Sequence, residues 1–216
     1  QALSRKESIK PRHWLEVMKT TGTNFDVTGS EFKLANLLDA NLADFKEEIE
    51  EICEGAEKQL GIEKKKDEIK ERWAIEEFQF MQWKSRPVSI LKAVVPIVEE
   101  LEEAQMNLRT MLTMRHVKPF EEEITAKLAE LNDTSDTLER WIKVQMLWCS
   151  LESVFTGGDI AKQMPVEAKK FAKIDKDWIK IMSKAVDTGK VLECCSNELL
   201  KNTLPILPKP LMATFI

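Results

Sequence analysis

Tyrosine is absent from this sequence of 216 residues, and glycine occurs only 7 times. Glycine-poor chains rich in Glu, Lys, Leu and Ala are typical of long helices rather than of β-sandwiches or doubly wound sheets. No sign of charge dominates either, because 32 lysines and arginines stand against 37 aspartates and glutamates, for a net charge of -5. A mixed charge of this kind argues against nucleic acid as a partner.

Long apolar runs are also missing. No segment approaches the roughly 20 residues that span a bilayer, and the first residues lack the basic-then-apolar pattern of a signal peptide. The cysteines, Cys53, Cys149, Cys194 and Cys195, fit no zinc-ligand spacing, and the adjacent pair would form a strained disulfide. We therefore expect reduced thiols and a soluble, intracellular chain without membrane association. Gln1 in place of an initiating methionine suggests a piece of a longer protein.

Apolar residues recur at steps of three and four along most of the chain, which predicts helices. The expected helices are a short one at 12–22, one from Ser30 to near Gly61, a restart at 62–78, and then 95–115, 119–155, 166–186 and 190–204. The 119–155 helix would be on the order of 55 Å long if unbroken. The alternative is two helices that separate near residues 132–136, where Asn, Asp, Thr and Ser side chains compete for backbone hydrogen bonds.

The helical period stops around residues 78–91. Phe78 and Phe80 alternate with polar residues, and a Ser-Arg-Pro turn at 85–87 precedes Val88 and Ile90. We predict one short β-hairpin near residues 77–91. The predicted fold class is therefore mainly α, an elongated multi-helix bundle with this single hairpin.

Patterns that would indicate catalysis or ligand binding are weak. In the nearest approach to a phosphate-binding loop, residues 184–191, Lys184 replaces the first glycine and Val191 replaces the hydroxyl residue. His13 and His116 are far apart in the sequence and lack evident partners for a metal site or a Cys-His pair. Glutamate clusters lie on charged helix faces, and acidic residues flank the lysine run at 64–66. We predict no catalytic, cofactor-binding or metal-ligating residue in this chain.

The 6 tryptophans are the richest signal. Residues 140–155, RWIKVQMLWCSLESVF, place Trp141, Trp148 and Phe155 at intervals of seven, with apolar residues between them. Bases or cofactors could stack on such rings, but this spacing beside Leu, Val and Met favours a buried seam that stiffens helix pairing. The residues by themselves thus indicate a rigid helical body without an active site.

Four segments, read in order, resemble the linker region of dynein heavy chains: residues 12–22, 78–84, 114–124 and 140–182. The resemblance covers roughly residues 9–204. Its signature residues are Trp14, Trp141, Val144, Gln145, Trp148, Leu151, Phe155, Asp159, Pro165, Phe171, Asp175 and Trp178. The phrase FTGGDIAKQMP at 155–165, together with the adjacent cysteines, is similar to axonemal, outer-arm-type heavy chains.

This resemblance implies a mechanical role. In the family, the linker lies across a ring of AAA+ modules, and ATP binding and hydrolysis in the ring switch the linker between bent and straighter conformations. The chain would then be part of a lever arm and no enzyme by itself, with ATP and Mg held in the missing ring. Its implied partners are the AAA+ ring of the same heavy chain, other dynein chains through the missing tail, and microtubules indirectly. The implied location is the cytoplasm or cytoskeleton, in the axoneme of a cilium or flagellum.

With the resemblance, the chain divides into a lead with a short helix (1–29), a helical linker-type region (30–204) and a Pro-rich extended tail (205–216). Glycine-bearing joints at 21–29 and 156–165 are candidate bending points, with Gly157 and Gly158 as the candidate hinge.

Two departures from the family pattern stand out. A Ser-Arg-Pro turn replaces the usual glycine-containing one, and residues 208–216 replace the expected distal continuation. The alternative to the lever-arm reading is a spectrin-like helical spacer without motor role. A spacer array should show a repeat of fixed length, and the sequence has none. An enzyme of unknown class is the remaining possibility.

Overall fold

The computed structural model describes residues 7–24 and 42–206. In this part of the chain the protein is mainly α-helical with one two-stranded antiparallel hairpin, which confirms the predicted fold class in these respects. The chain forms two compact units, one from Gln1–Glu68 and Thr110–Ile124 and the other from Ile69–Arg109 and Thr125–Ile216.

The helices are α1 (Pro11–Thr21), α2 (Lys46–Ile75), α3 (Val94–Leu112), α4 (Glu121–Phe155), α5 (Asp159–Gln163), α6 (Pro165–Thr188), α7 (Val191–Ser196) and α8 (Glu198–Thr203). Short 3-10 helices at Leu42–Phe45 and Lys118–Phe120 precede α2 and α4. Strands β1 (Gln79–Gln82) and β2 (Ser89–Lys92) pair in a register that places Phe80 opposite Leu91. Both α1 and α6 begin with proline, whose missing N–H would have no partner in the first turn of a helix.

The predicted helix end near Gly61 is wrong. Helix α2 runs through Gly61 without a break, although glycine in a helix interior costs about 1 kcal/mol relative to alanine. Gly55 before this glycine and Ile62 after it are both buried and lie seven residues apart on one face of α2, and their burial offsets its cost. The predicted helix start at Ser30 lies outside the described residues.

Of the two possibilities for residues 119–155, the unbroken helix is the observed one. Thr134 does not interrupt α4, because its hydroxyl donates a 2.8 Å hydrogen bond to the carbonyl oxygen of Glu130 one turn earlier. Thr134 and Thr137 are both buried, so packing also stabilises the helix at the point of the expected break.

The predicted final helix at 190–204 is two short helices, α7 and α8. Asn197 separates them with an extended backbone, and its side-chain oxygen accepts a hydrogen bond of 3.3 Å from the backbone N–H of Leu200. This is N-cap chemistry, which starts a new helix rather than continuing the old one. The loop predicted at 156–165 also contains a short helix, α5. Most of the predicted tail lies outside the described residues.

The first unit packs the start of α1 against α2. Ile9, Ile49, Cys53 and Ala56 form a buried cluster, and the half-buried ring of Trp14 packs on it. A second contact comes from two polar side chains of α1, since Arg12 and His13 both hydrogen-bond to the amide oxygen of Gln59, at 2.8 and 2.9 Å.

The lysine run at 64–66 does not form a basic patch. Lys66 is buried and pairs with Glu123 at 2.7 Å and with Asp67 at 2.8 Å. Burial would lower the pKa of Lys66, but the hydrogen bonds that its ammonium donates to these two carboxylates more than offset this effect, and the pKa is raised. The lysine is thus held in its charged form by partners in the first unit.

Candidate functional site

The tryptophan seam lies in the second unit. Trp141, Trp148 and Trp178 are fully buried at 0% exposure. Trp148 of α4 stacks on Trp178 of α6 with ring centres 5.5 Å apart, and Phe155 stacks on Phe171 at 5.4 Å. Offset stacking adds attraction beyond the area that is buried. These two aromatic pairs join the C-terminal end of α4 to α6.

The hairpin is fastened to α4 by Gln145. Its amide oxygen accepts a 2.8 Å hydrogen bond from the backbone N–H of Leu91, and its amide nitrogen donates to the carbonyl oxygen of the same residue at 3.0 Å. One side chain therefore satisfies both backbone groups of a buried strand residue, as a neighbouring strand would do. Phe78, just before β1, adds an edge-to-face contact with Trp141 at 5.3 Å.

Two backbone hydrogen bonds close the turn between the strands. The N–H of Trp83 donates to the carbonyl oxygen of Val88 at 2.8 Å, and the N–H of Arg86 donates to that of Trp83 at 3.1 Å. Lys84 takes a positive φ of 52°, which is unfavourable for a residue with a side chain. The Lys84 ammonium donates hydrogen bonds to Glu152 and Ser153, and these contacts help to hold this conformation.

A cluster of polar and aromatic side chains ties this turn to α4 and α6. We call it the hairpin junction and define it by Trp83, Lys84, Arg86, Trp148, Glu152 and Asp175. The hairpin junction contains two positive and two negative side chains. Each of them forms an ion pair with a side chain of opposite charge.

Glu152 is the α4 member of the hairpin junction and is only 1% exposed. Its Oε2 atom accepts hydrogen bonds of 2.8 Å from both the indole N–H of Trp83 and the ammonium of Lys84. Burial would raise the pKa of Glu152, but the hydrogen bonds from Lys84, Trp83 and Thr156 more than offset it, and the pKa is lowered. The carboxylate is thus ionised at neutral pH within a packed site.

Asp175 is the α6 member. The guanidinium of Arg86 donates to its two oxygens at 2.9 and 2.6 Å, and the indole N–H of Trp148 donates to Oδ1 at 3.1 Å. The hydrogen bonds to Asp175 are the main cause of the raised pKa of Arg86. Arg86 also lies 5.6 Å from the ring centre of Trp148, within the range of a cation–π contact.

This arrangement suits mechanical fastening. Paired charges and packed rings hold the turn of the hairpin against both α4 and α6. Each charged side chain forms hydrogen bonds with a neighbouring side chain of the junction. A buried charge that loses its partner is costly, so the pairings also make the position of the turn specific.

The other predicted signature residues are distributed over both units. Val144, Leu151 and Phe171 are buried with the tryptophan seam. Trp14 lies in the first unit, and Asp159 and Pro165 are exposed at the starts of α5 and α6.

The candidate hinge lies between α4 and α5, one residue after the end of α4. Gly158 has φ 114° and ψ -73°, a conformation that side-chain-bearing residues rarely adopt. A Cβ on Gly157 would lie 3.3 Å from the carbonyl oxygen of Ser153. Both positions therefore favour glycine, for different reasons.

Sequence reasoning did not single out Trp83, Lys84 and Arg86 as members of a site. Glu152 offered the available signal, because it stands between Trp148 and Phe155 on the apolar face of α4. A charge at such a position requires partners. Their identity depends on contacts across 68 to 89 residues of sequence, which periodicity does not reveal.

Residues 184–191, the nearest approach to a phosphate-binding loop, form the end of α6 and the start of α7. The N–H of Gly189 donates to the carbonyl oxygen of Ala185, so it is not free to bind a phosphate. Within residues 7–24 and 42–206, no group of three or more His, Cys, Asp or Glu side chains could hold a metal ion. None of the described helices is long and apolar enough to cross a membrane.

Comparison with known protein families shows which family this chain is related to. The family described as Dynein heavy chain, N-terminal region 2, matches residues 1–212. The chain belongs to this dynein heavy chain family. The resemblance that we inferred from the signature residues is thereby confirmed.

Individual relatives include several axonemal dyneins. The chain is 42% identical over 214 residues to the Dynein gamma chain, flagellar outer arm, of Chlamydomonas reinhardtii, covering 98% of this chain and 5% of that protein. It is 39% identical over 208 residues to Dynein axonemal heavy chain 8 of Homo sapiens, covering 95% and 5%. With the Dynein beta chain, ciliary, of Tripneustes gratilla it shares 32% identity over 198 residues, covering 91% and 4%. The chain thus spans only 4 to 5% of the length of these dynein relatives.

Proposed function

We propose that this chain is part of the mechanical linker of a dynein motor. It carries conformational change from an ATP-driven AAA+ ring to microtubule-based movement. The hairpin junction is the observation that supports this proposal. It fastens the hairpin turn to α4 and α6 through paired charges, and a force-transmitting element needs such stiffness more than it needs an active site.

Stiffness has a structural basis in the second unit. Helix α4 is unbroken over 35 residues, or about 50 Å. The stacked pairs Trp148–Trp178 and Phe155–Phe171 bind α4 to α6, so bending α4 in this region would separate packed rings. Interiors packed in this way transmit strain rather than absorb it.

The proposal assigns the chemistry of the motor to the rest of the heavy chain. The AAA+ ring of the same heavy chain is the direct partner and holds ATP and Mg, while this chain supplies no catalytic group. Microtubules are engaged indirectly, and other dynein chains are engaged through the tail of the heavy chain. The axonemal names of the relatives support a place in the cytoskeleton of a cilium or flagellum.

Gly157 and Gly158 are the proposed hinge of this lever. Their position between α4 and α5 supports this proposal, as does the φ of 114° at Gly158, which a continuous helix does not have. In the full-length motor, Gly157→Ala combined with Gly158→Ala should lower microtubule gliding velocity more than it lowers ATP hydrolysis. The matched control is Gly61→Ala, which replaces a glycine inside α2. Equal velocities in the two variants would remove residues 157–158 as the hinge.

The lever role itself is tested by distance measurement in a full-length axonemal heavy chain. A donor fluorophore at Val166, which is 59% exposed, is combined with an acceptor on the AAA+ ring. Energy transfer is compared between the nucleotide-free state and a trapped ATP-like state. We expect the transfer efficiency to change, because a nucleotide can shift a conformation only through a difference in affinity for the two states.

The control places both fluorophores on the ring. The lever role would be contradicted if the distance between the donor at Val166 and the acceptor on the ring were the same in both nucleotide states while ATP hydrolysis proceeded normally. That result would favour the alternative of a helical spacer without motor role.

A further inference from the structure

Helix α6 carries a continuous row of lysines on its outer face. We call it the lysine stripe and define it as Lys169, Lys173, Lys176, Lys180 and Lys184, all of which are exposed. At 100° per residue these side chains fall within an arc of about 80°, and they extend over about 22 Å of helix. The stripe is notable because the chain as a whole is acidic, with a net charge of -5.

The opposite face of α6 is apolar and packed. Phe171, Ile174, Trp178 and Met182 are buried there, as the sequence predicts, so the helix cannot rotate to bury its lysines. The lysine stripe is therefore held in a fixed line facing away from the core of the second unit.

The lysine stripe has few counter-charges of its own. None of its side-chain ammonium groups forms an ion pair or hydrogen bond with any residue in the described ranges. The carboxylate of Asp175 is occupied by Arg86. Two exposed carboxylates lie beside the stripe, Asp187 on the same arc at its C-terminal end and Asp177 about 20° beyond the edge of the arc. The positive charges are thus available to an external partner.

A groove runs along one flank of the lysine stripe. It has a volume of about 570 Å³ and lies between the second half of α6 and the start of α8. Three lysines, Lys176, Lys180 and Lys184, and one carboxylate, that of Asp187, border it. Ile179 and the 41% exposed Leu199 give it an apolar part. A row of positive charges beside a partly apolar groove matches an amphipathic acidic segment.

We propose that the lysine stripe and its groove form a docking surface for an acidic helical polypeptide. Carboxylates three and four positions apart on the partner would pair with the lysines, which repeat at the same spacing. An apolar side chain of the partner would enter the groove beside Leu199. This surface is a second property of the chain and holds whether or not the lever role does.

The chemistry of the surface favours a polypeptide over nucleic acid or a membrane. Single-stranded nucleic acid is bound by exposed aromatic rings beside basic groups, and the aromatic rings of α6, Phe171 and Trp178, are buried. Phosphates are gripped best by the fork of arginine, whereas the stripe contains only lysine. Membrane-surface helices place large apolar residues opposite their basic face, but that face of α6 is packed inside the unit.

The test measures binding of the chain to a short, fluorescein-labelled helical peptide with glutamate at every third and fourth position and leucine on one flank. Fluorescence anisotropy is recorded at low salt and at about 0.15 M salt, where charges are screened beyond about 8 Å. The stripe variant combines Lys176→Glu, Lys180→Glu and Lys184→Glu. We expect this variant to bind the peptide about tenfold more weakly or worse, because three surface ion pairs are lost.

The matched control combines Lys58→Glu, Lys92→Glu and Lys162→Glu, which are exposed lysines outside the stripe. It makes the same change in net charge, so equal weakening in both variants would overturn the proposal in favour of a general charge effect. Circular dichroism confirms folding, and a glutamine series at the three stripe positions replaces the glutamate variant if that one unfolds. Tighter binding of polyuridylate or of phosphatidylserine vesicles than of the peptide would also overturn the assignment to a polypeptide.

Discussion

Arg86 in the hairpin turn and Asp175 in α6 are 89 positions apart in the sequence, and two hydrogen bonds of 2.9 and 2.6 Å join them. The planar guanidinium meets both carboxylate oxygens, which fixes the direction of the turn as well as its distance from the helix. Trp148 donates to the same carboxylate, so Asp175 brings the hairpin, α4 and α6 together at one point. This contact explains why the hairpin has a defined place although its own sheet has only two strands.

Replacing Arg86 should therefore weaken the second unit. We expect Arg86→Ala to lower the free energy of unfolding by about 1 to 3 kcal/mol, because the half-buried carboxylate of Asp175 and the buried one of Glu152 lose a charged partner. Arg86→Lys should recover only part of this loss, since an ammonium cannot make the two parallel hydrogen bonds. Urea denaturation followed by tryptophan fluorescence gives the measurement.

The control for Arg86 is Arg72→Ala. Arg72 pairs with Glu100 on an exposed surface, where ion pairs contribute about 0 to 1 kcal/mol. If the two alanine variants unfold at the same urea concentration, the hairpin junction is no stronger than a surface ion pair.

Glu152 should make the stability of the protein depend on pH on the acid side. Its pKa is lowered in the folded state, so its contribution is present above the ordinary value of 4.5 and is lost as pH falls through the lower folded value. Glu152→Gln cannot titrate, and its unfolding free energy should decline less steeply below that pH. At pH 7 the variant should be less stable than the wild type by about 1 to 3 kcal/mol, because Lys84 loses its carboxylate partner and Arg86 keeps only Asp175.

Glu139→Gln separates this effect from ordinary surface charge. The pKa of Glu139 is also lowered, by its hydrogen bond with Lys143, but Glu139 lies on the exposed face of α4. Denaturation is measured between pH 2 and 7. On the acid side, the unfolding free energy of this variant should fall with pH nearly as it does in the wild type. An acid limb that is unchanged in Glu152→Gln would show that Glu152 is not the titrating group.

Local patterns in the sequence predicted the elements more successfully than the junctions between them. The change of period at Phe78 and Phe80 located the hairpin, because strand and helix periods differ within a few residues. Glycine is an unfavourable helix residue, so Gly61 predicts a helix end, yet the burial of Gly55 and Ile62 on either side of it keeps α2 continuous. Asn197 was overlooked as a helix start, since its cap depends on an extended backbone that the flanking apolar pattern does not indicate.

The hairpin junction lay beyond prediction for another reason. Glu152 has no oppositely charged residue one turn away in α4, so its partners come from a turn that is distant in sequence. A single sequence shows which residues share a face of one helix. It does not show which residues of two different elements contact each other. The pairing of Gln145 with the backbone of Leu91 is of the same kind, since one partner has no side-chain signature at all.

The glycines allow opposite predictions at two positions. Gly61→Ala should raise the free energy of unfolding by about 0.5 to 1 kcal/mol, because a Cβ there meets nothing within 4 Å and alanine favours the helix. Gly158→Ala should lower it by about 1 to 3 kcal/mol, because its φ of 114° strains any residue with a Cβ. Thermal unfolding of both variants under one set of conditions compares them directly. A stabilised Gly158→Ala would mean that residue 158 adopts an ordinary helical or extended backbone in solution.

The cysteines should be slow to react in the folded protein. Burial raises the pKa of both Cys149 and Cys194 to about 11, and it also raises the pKa of Cys195. The thiolate is the reactive form, so at pH 8 only about one molecule in a thousand would carry it at Cys149 or Cys194. Timed alkylation with iodoacetamide, read by mass spectrometry of peptides, should label Cys149 first, because it is only half-buried whereas the adjacent pair is buried. Its labelling should accelerate as pH rises towards 11, and all three should react quickly in denaturant. Labelling of Cys195 in the folded chain at the denatured rate would contradict the packing of α7 in the second unit.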